Sequence, residues 1–220
     1  MENIKKGDIV GRKSYNKDIL FIVDRIIKTS NGKAIAMLKG LNIRIQADSY
    51  IDDLELIDKK IIQESERKLD KKFEARLQRY ETQLQNLDGL KRSNKVIYTG
   101  KILHLDGDKR YSEKSFKYYQ KMGINAIVKN IPENKQPRVV YNLLKTYKPD
   151  ILVITGHDGM LKKGYGYYDI YNYRNSKYFI ATVKEARRYE KDTDSSLVIF
   201  AGACQSYFEA LMQAGANFAS

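Results

Sequence analysis

One histidine and one cysteine follow two consecutive apolar runs in the second half of the chain. His157 comes directly after DILVITG, and Cys204 comes directly after LVIFAGA. A free thiol is a weak nucleophile at its ordinary pKa of about 8.5, but a neighbouring histidine can take its proton or stabilise the thiolate. The pair predicts nucleophilic catalysis with His157 activating Cys204. Taken singly, Cys204 could be a buried core residue and His157 could lie in a structural turn.

The elements that would position these residues are parallel strands. From Val96 onward, strand patterns alternate with helical stretches at 111–122, 134–147 and 176–190; the strand candidates are VIYTGKILHL, INAIVKNI, DILVITG and LVIFAGA. This alternation predicts an α/β fold, a parallel sheet sandwiched by helices. Ligands collect at the carboxyl ends of such strands. Because the last two strands are expected to be neighbours about 5 Å apart, their end residues can face one site.

The first 95 residues have a different character. The sequence of residues 1–57 predicts five short strands that form a small β-barrel. The strand candidates are DIVGRK, ILFIVDRII, KAIAMLKG, NIRIQA and DDLELI. The opening Lys6-Gly7-Asp8-Ile9-Val10 resembles the first strand of SH3-like barrels. Residues 58–95 predict an amphipathic helix and a linker. The helix carries an apolar stripe of Ile62, Leu69, Phe73, Leu77, Tyr80, Leu84 and Leu87. The stripe could form a homodimer through the 58–87 helix, or pack on its own protein.

Composition narrows the function classes. The 220 residues include a single cysteine, so no intramolecular disulfide is possible and we expect a cytoplasmic protein. No apolar run approaches the length of a membrane span, which predicts no membrane partner. The net charge of +13 is spread along the chain rather than concentrated in one segment, so we do not expect the protein to bind nucleic acid. Two histidines and one cysteine without close spacing predict no metal site and no cofactor.

The spacing of the catalytic pair resembles that of caspase-like peptidases. In those enzymes the histidine lies about 50 residues before a cysteine with a local Gln-Ala-Cys signature, and here His157 precedes Ala203-Cys204-Gln205. The whole chain looks like the YabG family of sporulation proteases. The residues that carry this likeness are KGDIVGRKSY, KILHLDGD at 101–108, ITGHDG at 154–159, IFAGACQS at 199–206 and AGANFAS at 214–220.

The resemblance implies a function and a compartment. We expect a cysteine endopeptidase in the mother cell of a spore-forming bacterium, associated with the spore coat, that processes spore-coat and related precursor proteins. Its peptidase domain would span residues 96–220. Because caspase-like domains usually continue with further strands after the cysteine, we expect this domain to be incomplete at its C-terminus. Apart from the resemblance, we expect residues 1–57 and the helix after them to position the peptidase on its substrates and to contribute little to chemistry.

The resemblance also implies an oxyanion hole and a specificity pocket. Caspase-like enzymes usually have glycine directly after the histidine, whereas here Asp158 precedes Gly159. The expected backbone donors are Gly159 and Cys204, the latter at the start of a predicted helix. Several relatives that cleave after basic residues use an acidic group at the end of the first core strand. Asp106 and Asp108 occupy that position and predict cleavage after Arg, although Asp-Gly could also simply form a turn.

Two further hypotheses concern processing and the absence of catalysis. The resemblance suggests self-processing at exposed basic stretches such as Lys91-Arg92-Ser93. The alternative to an enzyme is a non-enzymatic module that binds RNA or a coat protein and carries a degenerate α/β domain. Reactivity of the Cys204 thiol would distinguish the two functions.

Overall fold

The protein is described by a computed structural model that covers residues 4–29, 31–90, 100–161 and 167–220. The stretch Lys91-Arg92-Ser93, expected to be a self-processing site, lies outside the described residues. So do residues 96–99, the beginning of the strand candidate VIYTGKILHL. The remaining strand and helix predictions can be compared with the structure.

The N-terminal module is a five-stranded antiparallel sheet. Its strands are β1 (Ile9–Arg12), β2 (Phe21–Lys28), β3 (Ala34–Gly40), β4 (Gln46–Tyr50) and β5 (Leu54–Leu56), in the order β4-β3-β2-β1-β5. Apolar residues that alternate along the strands form its core, including Val10, Phe21, Val23, Ala36 and Leu38. Five strands were expected and five are present among the residues of this module that the structure describes, while the likeness to SH3 barrels stays a prediction.

One strand of this module was predicted in the wrong place. The segment NIRIQA was expected to be a strand, but residues 41–45 form the loop between β3 and β4, and β4 begins only at Gln46. The loop is closed by the amide of Gly40, which donates to the carbonyl of Ile45 at 2.8 Å. A side chain at Gly40 would collide with the carbonyl oxygen of Ile43, so this tight loop requires glycine there.

A long helix, α1 (Lys59–Leu90), connects the two sheets along the chain. The ring of Phe73 stacks on Tyr118 of the second module, with ring centroids 3.6 Å apart. Three ion pairs run beside this stack and join Glu66 to Arg110, Asp70 to Lys114 and Glu74 to Lys121. Part of the predicted apolar stripe therefore packs on its own protein, and the homodimer through this helix stays a hypothesis. None of the described helices combines the length and apolar character needed to cross a membrane.

The second module is a parallel sheet flanked by helices, as the strand and helix alternation predicts. Its elements are β6 (Ile102–Asp106), α2 (Lys109–Lys121), β7 (Ala126–Asn130), α3 (Gln136–Tyr147), β8 (Ile151–Thr155), α4 (Ser176–Thr193), β9 (Val198–Gly202), α5 (Phe208–Gln213) and β10 (Phe218–Ala219). The strand order is β10-β9-β8-β6-β7. The chain thus builds outward in opposite directions from β6 and β8, and the crevice at a change of direction is where parallel sheets bind ligands.

The central strands bury one face of the sheet in the core of this module, whereas Val198 and Phe200 on the other face of β9 are exposed. Leu103, Leu105, Leu152, Ile154 and Ile199 are fully buried in the core of this module. His104 lies within β6, with its Nε2 atom 2.7 Å from the hydroxyl of Thr155. Burial lowers the pKa of His104 to about 4. His104 is therefore a neutral, hydrogen-bonded core residue near neutral pH.

Candidate active site

The two predicted catalytic residues follow neighbouring strands. Strands β8 and β9 pair in parallel, and Thr155 at the end of β8 is aligned with Gly202 at the end of β9. His157 and Cys204 each lie two positions beyond that aligned pair. The imidazole of His157 is buried with 1% exposure, whereas Cys204 is exposed. The fold brings both residues to the same edge of the sheet.

His157 is held by groups from three parts of the chain. Its Nε2 atom lies 3.4 Å from the carbonyl oxygen of Gly40, and its backbone amide donates to the Glu133 carboxylate at 2.8 Å. Its Nδ1 atom is buried, makes no hydrogen bond with any residue that the structure describes, and lies 3.8 Å from the carboxylate of Asp108. The ring of Tyr111 meets the imidazole edge to face at 5.4 Å. Burial lowers the pKa of His157, and the Asp108 charge opposes that change.

The hydrogen bond to Gly40 defines the tautomer of a neutral His157. A carbonyl oxygen can only accept, so the proton of the neutral imidazole belongs on Nε2. The lone pair then lies on Nδ1, which is the nitrogen without a hydrogen-bond partner. A basic nitrogen of this kind can accept a proton from a thiol and hold it near the Asp108 carboxylate.

Cys204 lies in a turn rather than at a helix start. Helix α5 begins at Phe208, so the prediction that Cys204 opens a helix is wrong. A local turn replaces the expected helix, because the Ser206 hydroxyl accepts from the amide of Ala203 and the Ser206 amide donates back to the Ala203 carbonyl. The Sγ atom of Cys204 accepts a hydrogen bond from the amide of Arg44 at 3.3 Å. The thiol thus contacts the β3–β4 loop directly.

Asp106 is fully buried at the carboxyl end of β6. Its carboxylate accepts hydrogen bonds from the Arg44 guanidinium at 2.6 Å, the Thr155 hydroxyl at 3.0 Å and the Asp108 amide at 2.9 Å. Burial opposes ionisation of Asp106, but the hydrogen bond and charge of Arg44 outweigh it and hold the pKa below its ordinary value. The guanidinium carbon of Arg44 also lies 4.2 Å from the centre of the Tyr111 ring. Asp106 and Tyr111 together form a site for a guanidinium group.

Asp108 has a different position from Asp106. Its carboxylate caps α2 by accepting the amide of Tyr111 at 3.1 Å, and its other oxygen is the one near His157. Asp108 does not bind the Arg44 side chain that Asp106 binds. Its charge can act on the histidine instead.

Asp158 and Gly159 differ in what their backbone amides contact. The amide of Gly159 donates to the carboxylate of Asp158 at 2.8 Å, whereas the amide of Asp158 donates to the carbonyl of Arg44 at 3.3 Å. The buried Asp158 carboxylate also accepts from the amide of Asn175 and the hydroxyl of Ser176. Burial raises the pKa of Asp158. The side chain of Asp158 thus orders the turn after His157.

Sequence reasoning missed several residues of this site. Gly40 acts through a backbone carbonyl, which leaves no side-chain signal. Arg44 lies in a segment that was interpreted as a strand. Glu133 follows β7, the outer neighbour of β6, and its position after a strand end was a signal that could have identified it. Its carboxylate fills the space beside Gly107 and Gly156, where a side chain on either glycine would collide with it. Burial raises the pKa of Glu133.

Comparison with known proteins identifies the family. A sequence model of the family described as YabG peptidase U57 matches residues 5–220. The sporulation-specific protease YabG of Bacillus subtilis (strain 168) is 42% identical over 229 residues, which cover 97% of this chain and 77% of that protein. These matches confirm the resemblance found in the sequence and the prediction of a peptide-cleaving enzyme. The chain belongs to the YabG peptidase U57 family.

Proposed function

We propose that this peptidase is a cysteine endopeptidase that cleaves after arginine, with Cys204 as nucleophile and His157 as base. The observation that carries the proposal is the parallel alignment of β8 and β9, which brings both residues to one edge of the sheet. The unpartnered Nδ1 atom of His157 supports the role of base. The neighbouring groups would stabilise the transition state and bind the substrate.

In the first step, His157 takes the proton of the Cys204 thiol and the sulfur attacks the carbonyl carbon of the substrate arginine. The amide of Asp158, which donates to the carbonyl of Arg44 in the structure, would stabilise the charge that develops on the substrate oxygen. This donor replaces Gly159 in the oxyanion hole, since the Gly159 amide is engaged by a carboxylate. The second donor proposed is the amide of Cys204.

In the later steps, His157 returns the proton to the leaving amine as the peptide bond breaks. A thioester between the arginine carbonyl and Cys204 remains, and water activated by the same histidine hydrolyses it. The carboxylate of Asp108, 3.8 Å from Nδ1, would stabilise the imidazolium between these steps. Asp106 and Tyr111 would hold the arginine side chain. A planar guanidinium donates to a carboxylate in a geometry that an ammonium group cannot reproduce.

The biological role proposed rests on the relative. The Bacillus subtilis protein is named a sporulation-specific protease, and we propose that this chain likewise processes spore-coat and related precursor proteins in the mother cell. The proposal keeps two units, residues 1–57 and the peptidase domain 96–220, joined by the helix and linker of 58–95. Self-processing at Lys91-Arg92-Ser93 is part of the same proposal.

The deciding experiment measures thiol reactivity beside peptide cleavage. An activated Cys204 should react with iodoacetamide at neutral pH at least tenfold faster than in a His157→Ala variant. Because Cys204 is the only cysteine, every modified molecule reports on this site. The same preparations should be assayed with fluorogenic peptides ending in Arg, Lys, Asp or Leu. Equal alkylation rates together with no cleavage of any peptide would overturn the proposed roles of Cys204 and His157.

A further inference from the structure

The β3–β4 loop, residues 41–45, lies against the proposed catalytic groups. Its Arg44 donates a backbone hydrogen bond to the Sγ atom of Cys204 at 3.3 Å and accepts one from the amide of Asp158 at 3.3 Å. The Arg44 guanidinium meanwhile binds the buried carboxylate of Asp106 at 2.6 Å. One residue of the N-terminal module therefore touches the nucleophile, the oxyanion donor and the specificity pocket at once.

Two of these contacts, at the Arg44 carbonyl and at its guanidinium, are ones that a cleavable substrate would need, and the third holds the thiol against the amide of the same residue. Peptide hydrolysis requires the carbonyl oxygen beside a positioned donor, the thiol beside the bond, and the arginine side chain in its pocket. We infer that Arg44 is a resident, substrate-like occupant of the arginine pocket, so that a protein substrate must displace the β3–β4 loop to be cleaved. This inference rests on the proposed function for its consequence in catalysis, but the occupied pocket can be tested by binding alone.

The loop is tied down on both sides of Arg44. The amide of Gly40 closes the loop on the carbonyl of Ile45, and the amide of Gln46 donates to the carbonyl of Asp158 at 2.7 Å. If Cys204 attacked Arg44 and the bond to Ile45 broke, the new amine of Ile45 would stay next to the thioester. Its return attack would re-form the peptide bond and release the thiol. Held in this way, the loop acts as an inhibitor rather than as an ordinary substrate.

The charge of the pocket determines what can replace Arg44. Asp106 has no exposed surface and the Arg44 side chain is 17% exposed, so withdrawal of the loop would leave a buried carboxylate without its cation. An incoming arginine side chain restores that pairing, and the displacement becomes an exchange of one guanidinium for another. A neutral side chain offers no such replacement. Substrates with arginine are therefore favoured twice, when the loop is displaced and when the side chain binds in the pocket.

Agmatine, a small guanidinium compound with no peptide bond, tests the occupied pocket without catalysis. We expect Cys204→Ala/Arg44→Ala to bind agmatine at least tenfold more tightly than Cys204→Ala alone, measured by calorimetry, and to gain thermal stability from it. Arg174 provides the matched control, because its side chain is 14% exposed and pairs with Asp48 of the N-terminal module. Cys204→Ala/Arg174→Ala should bind agmatine no better than Cys204→Ala.

Three outcomes decide the inference. Tighter agmatine binding only when Arg44 is replaced supports the resident arginine, even if the wild type with Cys204 intact cleaves no peptide, in which case the proposed peptidase mechanism alone fails. Equal agmatine affinity in folded samples of all three proteins overturns it. If Arg44→Ala does not fold, Arg44→Lys takes its place. Since ammonium is the poorer match for Asp106, the lysine variant should show at least a threefold gain in agmatine affinity, and no gain overturns the inference.

Discussion

The Nε2 atom of His157 lies 3.4 Å from the carbonyl oxygen of Gly40, although 117 positions separate the two residues in the chain. The first belongs to the parallel sheet and the second ends a strand of the antiparallel sheet. The imidazole is therefore oriented by a module that the sequence predicted to be an accessory. This contact changes what is expected when the N-terminal module is altered.

Replacement of Gly40 by alanine should impair cleavage of short peptides as well as proteins. The added methyl group would collide with the carbonyl of Ile43 and shift the oxygen that orients His157. We expect kcat on an arginine peptide to fall at least tenfold, because a misoriented base transfers protons poorly. Gly32→Ala, in the β2–β3 turn of the same module, is the control for lost module stability. An alanine at the positive φ of Gly32 would be strained, but Gly32 is remote from Gly40 along β3. Equal losses in the two variants would contradict an orienting role.

Cys204→Ala should abolish peptide cleavage while leaving the fold intact, because alanine fits the site but carries no nucleophile. His157→Ala should lower kcat by several orders of magnitude, since the thiol loses its base. Stopped assays with a fluorogenic arginine peptide give the rates, and circular dichroism confirms the fold. Near-normal turnover by either variant would remove the catalytic assignment.

Asp106→Asn should lower kcat/KM for cleavage after arginine, because it removes the carboxylate that binds the arginine side chain. Asp108→Asn should affect the binding of that side chain less. The Asp106 carboxylate pairs with a guanidinium in a fully buried position, and loss of such a pair costs about 2–5 kcal/mol, or roughly 30-fold to several thousandfold in kcat/KM. Asp108→Asn should act on kcat and its pH profile instead, because Asp108 faces His157. Full-rate cleavage after arginine by Asp106→Asn would exclude this carboxylate from the pocket.

Acid should destabilise the protein through His104. Its pKa is about 4 in the folded protein and about 6.5 in an unfolded chain. Between these values the unfolded chain binds a proton that the folded protein does not, so the free energy of unfolding falls as the pH decreases. The difference corresponds to a loss on the order of 3 kcal/mol when the pH is lowered from 7 to below 4.

The measurement compares urea unfolding of wild type and His104→Gln at several pH values. The raised pKa values of Glu133 and Asp158 act in the opposite direction, since those carboxyl groups favour the folded state as the pH falls. Both proteins share these two groups, so the difference between their curves reports on His104 together with the neighbouring Asp106, whose pKa the His104 charge helps to lower. A stability difference that stays constant between pH 7 and pH 4 would show that His104 does not titrate in this way.

The strand ends that carry His157 and Cys204 could be predicted because their cause is local. DILVITG and LVIFAGA are continuous apolar runs, which predict buried parallel strands, and reactive residues directly after them must lie at one edge of the sheet. The same argument placed Asp106 at that edge. It also indicated the order of strands and helices in the second module.

What could not be predicted depends on contacts between distant segments. Ile43 and Ile45 flank Arg44 in an alternating pattern that indicates a strand, and nothing in NIRIQA shows that Arg44 would meet a buried aspartate 62 residues later. The turn at Cys204 forms because Ser206 bonds back to Ala203, a local side-chain choice that competes with helix formation. Gly40 contributes a carbonyl oxygen, which every residue possesses. The contacts of Arg44 and Gly40 therefore depend on how the two sheets meet, whereas the turn at Cys204 is a local feature.

The separation of Arg44 and Cys204 by 160 residues has a consequence for how the protein is made. At about 5–20 residues per second, a ribosome needs roughly ten to thirty seconds to pass from the first of these residues to the second. A small β-rich module folds in milliseconds to seconds, so the β3–β4 loop can be in place before the thiol emerges. The nascent enzyme would then complete its reactive centre around a loop that already covers it, and the cell would be spared a period of unrestrained proteolysis at the ribosome.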